Sequence, residues 1–288
     1  NIYKTLDPLM EYKPSFINVT YHREEIKIVS LPDGTTERRK INRRPGSVGI
    51  SVAVKYKYNV EVVPHILCGG FSRHEIEQML VDFSFLEFDN IFALRGDPLK
   101  GQQEFVPHAL GHSNAVGLVK QIKQLNRGIY LDQPDIGARQ TNFSIGVAGY
   151  PEKHFESVDY SSDLVHLKEK VDAGADYIVT QMFYNNQKYF DFVKKCREIG
   201  ITIPIIPGIN PLANFNHLKI LPQLFHIELP DELVKEVTHC KNDLDVRMVG
   251  VEWAAMQCRE LKQIGVPVIH FFTMSQPDNI ENILKRVF

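Results

Sequence analysis

Seven short apolar runs punctuate the chain, each followed by a longer stretch with helical spacing, and this alternation restricts the fold more than any other feature of the sequence. The runs are Phe16 to Tyr21, Val60 to Cys68, Ile91 to Arg95, Ser144 to Tyr150, Tyr177 to Tyr184, Pro204 to Ile209 and Val268 to Thr273. They are rich in β-branched and aromatic residues and almost continuously apolar, as strands covered on both faces must be; half-exposed antiparallel strands would alternate. Helical spacing runs over Ser72 to Phe88, Asn114 to Asn126, Ser162 to Ala173, Asn186 to Ile199, Asp243 to Ile264 and Gln276 to Val287. Ser72 with Glu75 makes a capping box, and Gly174 and Gly200 stand where a helix can end in the left-handed region. Strand then helix, repeated, describes an α/β chain with a parallel sheet.

Two parallel architectures compete. A doubly wound sheet that binds a nucleotide carries a G-x-G-x-x-G turn after its first strand, and this sequence has none. The expectation is therefore a (β/α)8 TIM barrel, one catalytic domain over residues 1–288. Tyr3 to Tyr12 reads as a helix with no strand before it, which puts the first of eight strands upstream of Asn1. Two stretches break the rhythm. One is an inserted loop near 23–47, with Pro32-Asp33-Gly34 and a basic run from Arg38 to Arg44; the other is Pro98 to Ser113. Long loops in compact domains are usually lids, binding loops or disordered segments.

Charge narrows the choice of partner. With 33 Lys and Arg against 35 Asp and Glu, the formal net charge of −2 supplies no field for nucleic acid or an anionic membrane. A small-molecule partner is expected. Cys68, Cys196, Cys240 and Cys258 are scattered, without the C-x-x-C spacing of a zinc or redox site, which fits a reduced cytoplasmic protein. No apolar run approaches the roughly 18–20 residues of a membrane span. The start Asn1-Ile2-Tyr3-Lys4 has no signal-peptide pattern.

In a parallel barrel the chemistry sits at the C-terminal ends of the strands, so the polar residues closing each run are the candidates. They are Thr20-Tyr21, His65 with Cys68, Arg95-Gly96-Asp97, Tyr150-Pro151-Glu152 with His154, Gln181, Pro207-Gly208-Ile209-Asn210, and Phe272-Thr273. Arg95-Gly96-Asp97 is the most informative: the glycine permits close backbone approach, the arginine can fork onto a phosphate, and the aspartate can accept ring or ribose donors. An ion pair closing a turn explains the same triplet equally well. His65 reads as a base, a flavin contact or a core histidine, the last being the commonest outcome for an isolated His. His108 and His112 have zinc-like spacing but lie among Pro107 and Gly111 without a third ligand, so no metal is expected. The basic run could grip a cofactor phosphate, although a solvated loop is the commoner outcome.

At these strand ends, in order and over nearly the whole chain, the sequence resembles the methylenetetrahydrofolate reductase family. The matching blocks are Val19-Thr20-Tyr21, Pro64-His65, Leu94-Arg95-Gly96-Asp97, Tyr150-Pro151-Glu152 with His154, Lys170-Val171-Asp172-Ala173-Gly174-Ala175, Thr180-Gln181, Ile206-Pro207-Gly208-Ile209 and His270-Phe271-Phe272-Thr273. The resemblance implies a barrel that holds FAD and passes hydride from NADH or NADPH to 5,10-methylenetetrahydrofolate by a ping-pong route. The product would be 5-methyltetrahydrofolate, a methyl source for methionine synthesis. It also implies a homo-oligomer and the short bacterial form without a C-terminal regulatory domain. Thr20, Tyr21, His65, Arg95, Gly96, Asp97, Ala115, Tyr150, His154, Ser157, Asp163, His166 and Lys170 fall where the family contacts its cofactors. Asp97 and Gln181 fall at catalytic positions, and Gln181, His217 and Gln276 at substrate positions.

The sequence also departs from the family pattern. The family's general-acid Glu belongs to a strand-one block that this chain lacks, and by the residue count it would lie upstream of Asn1. His22-Arg23 stand where small residues are common, and His166 and Glu169 where Asn and Arg are common. His217 replaces a folate-contacting Gln and Gln276 a substrate-contacting Arg. Two other readings stay open: a flavin barrel of the proline dehydrogenase type, and a flavin- or folate-binding protein without turnover. NADH and NADPH are not distinguished, because no ribose-recognition residue can be located.

Overall fold

The computed structural model describes residues 2–21, 25–41, 45–99, 102, 104–132 and 139–288. In chain order its strands are β1 (Phe16–Val19), β2 (Glu25–Ser30), β3 (Thr36–Ile41), β4 (Glu61–Leu67), β5 (Asn90–Leu94), β6 (Ser144–Gly149), β7 (Tyr177–Met182), β8 (Ile205–Ile209) and β9 (His270–Phe271). The helices are α1 (Ile2–Leu6), α2 (Ser47–Tyr58), α3 (Arg73–Phe85), α4 (Ala115–Asn126), α5 (Tyr160–Asp172), α6 (Asn186–Glu198), α7 (His217–Phe225), α8 (Asp231–Thr238), α9 (Asp243–Gln263) and α10 (Pro277–Val287), with a 3-10 turn at Asp7–Tyr12. All seven apolar runs contain a strand. The fold class is α/β with the parallel βα succession of the TIM-barrel type.

The chain forms two compact units, Ser15–Ile145 and Asn1–Pro14 with Gly146–Phe288. In the first, β1 pairs in parallel with β4 through Val19 opposite Pro64, and β4 with β5 through His65 opposite Phe92 and Leu67 opposite Leu94. Val62, Val63, Ile66, Ile91 and Ala93 from these strands are buried, as are Ile76, Leu80 and Phe83 of α3 and Leu118, Ile122 and Leu125 of α4. The capping box starts α3 as its spacing requires: Ser72 Oγ accepts from Glu75 N–H at 3.3 Å and Glu75 accepts from Ser72 N–H at 2.7 Å. The insert differs from its expectation as a loop. Its described part is an antiparallel hairpin with Glu25 opposite Ile41 and Ser30 opposite Thr36, turned at Asp33-Gly34, where Asp33 accepts from Thr35 N–H at 2.9 Å.

In the second unit β6, β7, β8 and β9 run parallel in that order, with Gly149 opposite Thr180 and Gly208 opposite His270. The β7–β8 register shifts between Val179 and Met182, a bulge that matters for Gln181 below. Gly174 and Gly200 end α5 and α6 at φ of 115° and 79°. Met182, Tyr184, Leu212, Leu221, Ile227, Leu233, Val237 and Val246 form the core here. Two helices in it had no clear sequence signal: α7 carries Pro222 in its interior, which reads as a breaker, and α8 is only eight residues long.

Gly250 on α9 fixes how the segment before α7 lies. A Cβ there would sit 2.1 Å from Leu212 O and 2.7 Å from Leu212 N, backbone atoms that cannot swing away. Gly250→Ala is expected to destabilise the chain by about 3 kcal/mol or more in urea unfolding. A variant within about 1 kcal/mol of wild type would show that α9 can retreat and that this contact does not hold the segment.

Candidate functional site

The first unit brings three groups of candidate residues to the ends of adjacent strands. Thr20 and Tyr21 follow β1, with Thr20 exposed and the Tyr21 ring packed edge-on against Phe71 at 5.3 Å. His65 lies inside β4, its ring 4.9 Å from that of Phe92 on β5. Beyond β4 and β5 the ladder continues, Cys68 N–H donating to Leu94 O and Gly69 N–H to Arg95 O, so the Arg95-Gly96-Asp97 turn is anchored where its side chains begin. Arg95 lies over the Phe105 ring at 4.8 Å, and its Nε donates to Gly96 O at 3.3 Å. Gly96 takes φ of 87°, a conformation that a side chain would resist. Asp97 is exposed. Ala115 opens α4, where the Asn114 side chain caps Gly117 N–H at 3.0 Å.

The second unit assembles the largest group, on the β6–α5 loop and the helix after it. Tyr150 and His154 meet edge to face at 4.7 Å. Asp163, in the first turn of α5, takes a bond from the loop on each oxygen: His154 N–H donates at 3.1 Å and Ser157 Oγ at 3.0 Å. Lys170, seven residues on, donates from Nζ to Ala148 O of β6 at 2.6 Å. The residue as a whole is half-buried, but its ammonium is enclosed, and burial pulls its pKa down to about 8 against the opposing charge of Asp163. His166 is exposed on α5.

The three remaining candidates share one property. Gln181 Oε1 accepts from Met182 N–H at 2.9 Å, at the bulge between β7 and β8, which leaves the Gln181 Nε2 hydrogens for something else. His217 Nδ1 accepts from Ala213 N–H at 3.2 Å, so the neutral ring carries its proton on Nε2; burial lowers its pKa, against a raising effect from Asp243. Gln276 Oε1 accepts from Asn279 Nδ2 at 2.9 Å, after a turn in which Met274 and Ser275 both have positive φ. Each side chain thus has its acceptor tied down by its own neighbourhood and keeps N–H groups to donate.

Phe105, Asn279 and Glu152 hold or adjoin these groups without a role assigned from sequence. Only Glu152 had a signal, as a polar residue closing a strand run. Among the described residues no three His, Cys, Asp or Glu side chains gather as a metal site. His112 Nε2 instead meets Gln121 Oε1 at 2.6 Å, and His108 Nδ1 accepts from Leu110 N–H. Of the basic run, Asn42, Arg43 and Arg44 lie outside the described residues, as do His22 and Arg23. A cleft of about 220 Å³ near Tyr184, Trp253 and Glu260 contains none of the sequence-derived candidates, and its polar groups largely bond one another through Asn186, Gln257 and Glu260. No described helix is long and apolar enough to cross a membrane.

A family profile described as methylenetetrahydrofolate reductase matches residues 1–287. Among curated proteins the chain is similar to methylenetetrahydrofolate reductase (NADH) 1 of Arabidopsis thaliana, at 32% identity over all of this chain and 45% of that protein. It is similar to the probable methylenetetrahydrofolate reductase (NADPH) of Caenorhabditis elegans, at 30% identity over 100% of this chain and 40% of that one. It is also similar to the 5,10-methylenetetrahydrofolate reductase of Salmonella typhimurium, at 28% identity over 96% of this chain and 81% of that one. The chain thus spans less than half the length of the plant and nematode relatives. Among solved structures it is similar in fold to an uncharacterized protein from Clostridium thermocellum described as binding two copies of 5-methyl-5,6,7,8-tetrahydrofolic acid. That likeness has a TM-score of 0.54 at 14% identity and covers 99% of this chain and 86% of that one.

The enclosed ammonium gives the β6–α5 corner a pH signature. Between about 8 and the ordinary lysine value of 10.5, the folded chain gives up the Lys170 proton while the unfolded chain keeps it. The cost of burying the charge is therefore present in full below pH 8 and fades as pH rises to 10.5. The stability of Lys170→Met minus that of wild type is expected to shrink across this window in thermal melts. A difference that stays constant would mean that the lysine titrates normally.

Proposed function

The chain belongs to the methylenetetrahydrofolate reductase family, and from that membership we propose that it uses NADH or NADPH to reduce 5,10-methylenetetrahydrofolate to 5-methyltetrahydrofolate through bound FAD, in a ping-pong sequence. The observation that carries the reading is the donor arrangement: Gln181, His217 and Gln276 each have an acceptor bonded to a neighbouring N–H and keep N–H groups to donate. A folate offers matching acceptors, in its pterin carbonyl and ring nitrogens at one end and its glutamate carboxylates at the other.

The residues fit FAD by the chemistry of their donors and rings. Arg95 brings a guanidinium suited to phosphate, and Gly96 leaves room for close backbone approach. From the family resemblance, Tyr21, His65, Tyr150 and His154 would supply aromatic contacts, and Thr20, Ser157 and Lys170 polar ones. When bound, FAD would supply the hydride relay between the nicotinamide and the one-carbon unit. The exposed carboxylate of Asp97 would favour a cation developing on that unit as the folate ring opens, an electrostatic effect that grows as water is excluded. Gln181 would orient the pterin, and in the other half-reaction the nicotinamide carboxamide, through the same Nε2 hydrogens. Ala115 and His166 complete the proposed cofactor contacts.

The chain as purified is expected to take up FAD and turn yellow, to lose its absorbance near 450 nm on anaerobic addition of NADH or NADPH, and to regain it on addition of methylenetetrahydrofolate. A colourless chain that binds no FAD sinks the reading. Bleaching by proline, with no reoxidation by the folate, would assign the chain to a different flavin chemistry. Gln181→Ala is expected to slow both half-reactions by tenfold or so, the loss of about one good hydrogen bond; unchanged rates would remove Gln181 from the site.

A further inference from the structure

Glu152 has no part in the arrangement above, yet its surroundings are unusual for a surface loop. Its Oε2 accepts from the backbone N–H of Glu228, between α7 and α8, at 2.7 Å. Its Oε1 is buried and has no hydrogen-bond partner among the described residues. Three residues on, the Phe155 ring stacks on the His226 ring at 4.7 Å, with 17° between the planes. A third element joins through Lys188 of α6, whose Nζ lies 2.8 Å from Glu228 Oε2. Lys153 and His226, beside the two contacts, both have positive φ, of 81° and 52°. Non-glycine residues keep that conformation where the surroundings hold them in it.

We propose that Glu152 and the Phe155–His226 stack form a two-point clasp that fixes the β6–α5 loop to the α7–α8 loop, making Glu152 a positioning residue for the cofactor contacts at Tyr150, His154 and Ser157. The clasp stands on geometry alone; its consequence for FAD rests on the proposed function. The inner end of the loop is already fixed, because Asp163 takes both His154 N–H and Ser157 Oγ. The clasp adds a second tie to the same loop, at Glu152 and Phe155. Hydrophobic gain does not explain the contact, since Phe155, His226 and Glu228 are all exposed.

The groups facing Glu152 set its charge. Burial pushes its carboxyl up to about 7, opposed by the Glu228 N–H and the Lys188 ammonium and reinforced by the Glu228 carboxylate. His226 sits on the partner loop, and His154, 4.8 Å from the Phe155 ring, sits on its own. The clasp therefore works with Glu152 neutral or charged, and a neutral isostere should preserve it.

The test uses the full chain with Glu152→Ala and Glu152→Gln, read by two measurements. Trypsin cleavage after Lys153 in the FAD-free protein follows the population of the open loop. It is expected to rise about tenfold in Glu152→Ala and to stay near wild type in Glu152→Gln. FAD dissociation constants are expected to follow the same pattern, with kcat at saturating FAD little changed. Cleavage of Glu152→Ala at the wild-type rate overturns the clasp. Faster cleavage with unchanged FAD affinity overturns the positioning role. A wild-type chain that binds no FAD overturns the proposed function instead, and the cleavage comparison still decides the clasp. If Glu152→Ala does not fold, His226→Ala removes the stack at an exposed site and is read in the same way.

Discussion

One enclosed positive charge organises the corner on which the largest group of candidate cofactor residues sits. Lys170 reaches from α5 to a carbonyl of β6, at Ala148, and its ammonium is costly to keep away from water. The offsetting charge is Asp163, and both oxygens of that carboxylate are committed to the loop between strand and helix. Strand, loop and helix are thus tied by one charge pair and three hydrogen bonds. Loss of the lysine would leave Asp163 less well balanced, and loss of Asp163 would release the His154 and Ser157 ends of the loop together. An arrangement with this cost is weak as a source of stability but specific about geometry, which is what a cofactor loop needs before its ligand arrives.

The same logic recurs at Gln181, His217 and Gln276. An amide or imidazole in solution can donate or accept by rotating. At Gln181 and His217 a backbone N–H pins the acceptor, so the polarity offered to a ligand is fixed before binding, while Gln276 is paired with the Asn279 side-chain amide. At Gln181 this pin sits where the β7–β8 register shifts between Val179 and Met182, with Met182 N–H donating to Gln181 Oε1. Ordering that is already present in the free chain need not be supplied at binding.

The strands were legible because burial on both faces leaves continuous apolar runs, and their ends named candidates such as Tyr21, His65, Arg95 and Gln181, whereas Ala115, Ser157, Asp163, His166, Lys170, His217 and Gln276 came from the family resemblance. Helix ends marked by caps or glycines, as at Ser72, Gly174 and Gly200, were legible for the same local reason. The β2–β3 hairpin was not, because its described strands carry charged residues such as Glu37 and Arg39 in place of an apolar signal. Only His270 and Phe271 of the last run form ladder pairs with β8, so β9 is far shorter than its apolar stretch. The partners of the candidate residues were hidden for a different reason. Asn279 beside Gln276 could be guessed from spacing, but Phe105 over Arg95 and Glu228 against Glu152 depend on loops whose course no periodicity encodes.

The central claim is that the β6–α5 corner is built in advance to receive FAD, with Asp163 as its hub. Calorimetric titration of FAD into the flavin-free chain, wild type against Asp163→Asn, tests it most directly. The account requires one FAD per chain and a loss of affinity of about tenfold or more in the variant, roughly 1.4 kcal/mol. Equal affinity in the two proteins, or no binding by wild type, would contradict it.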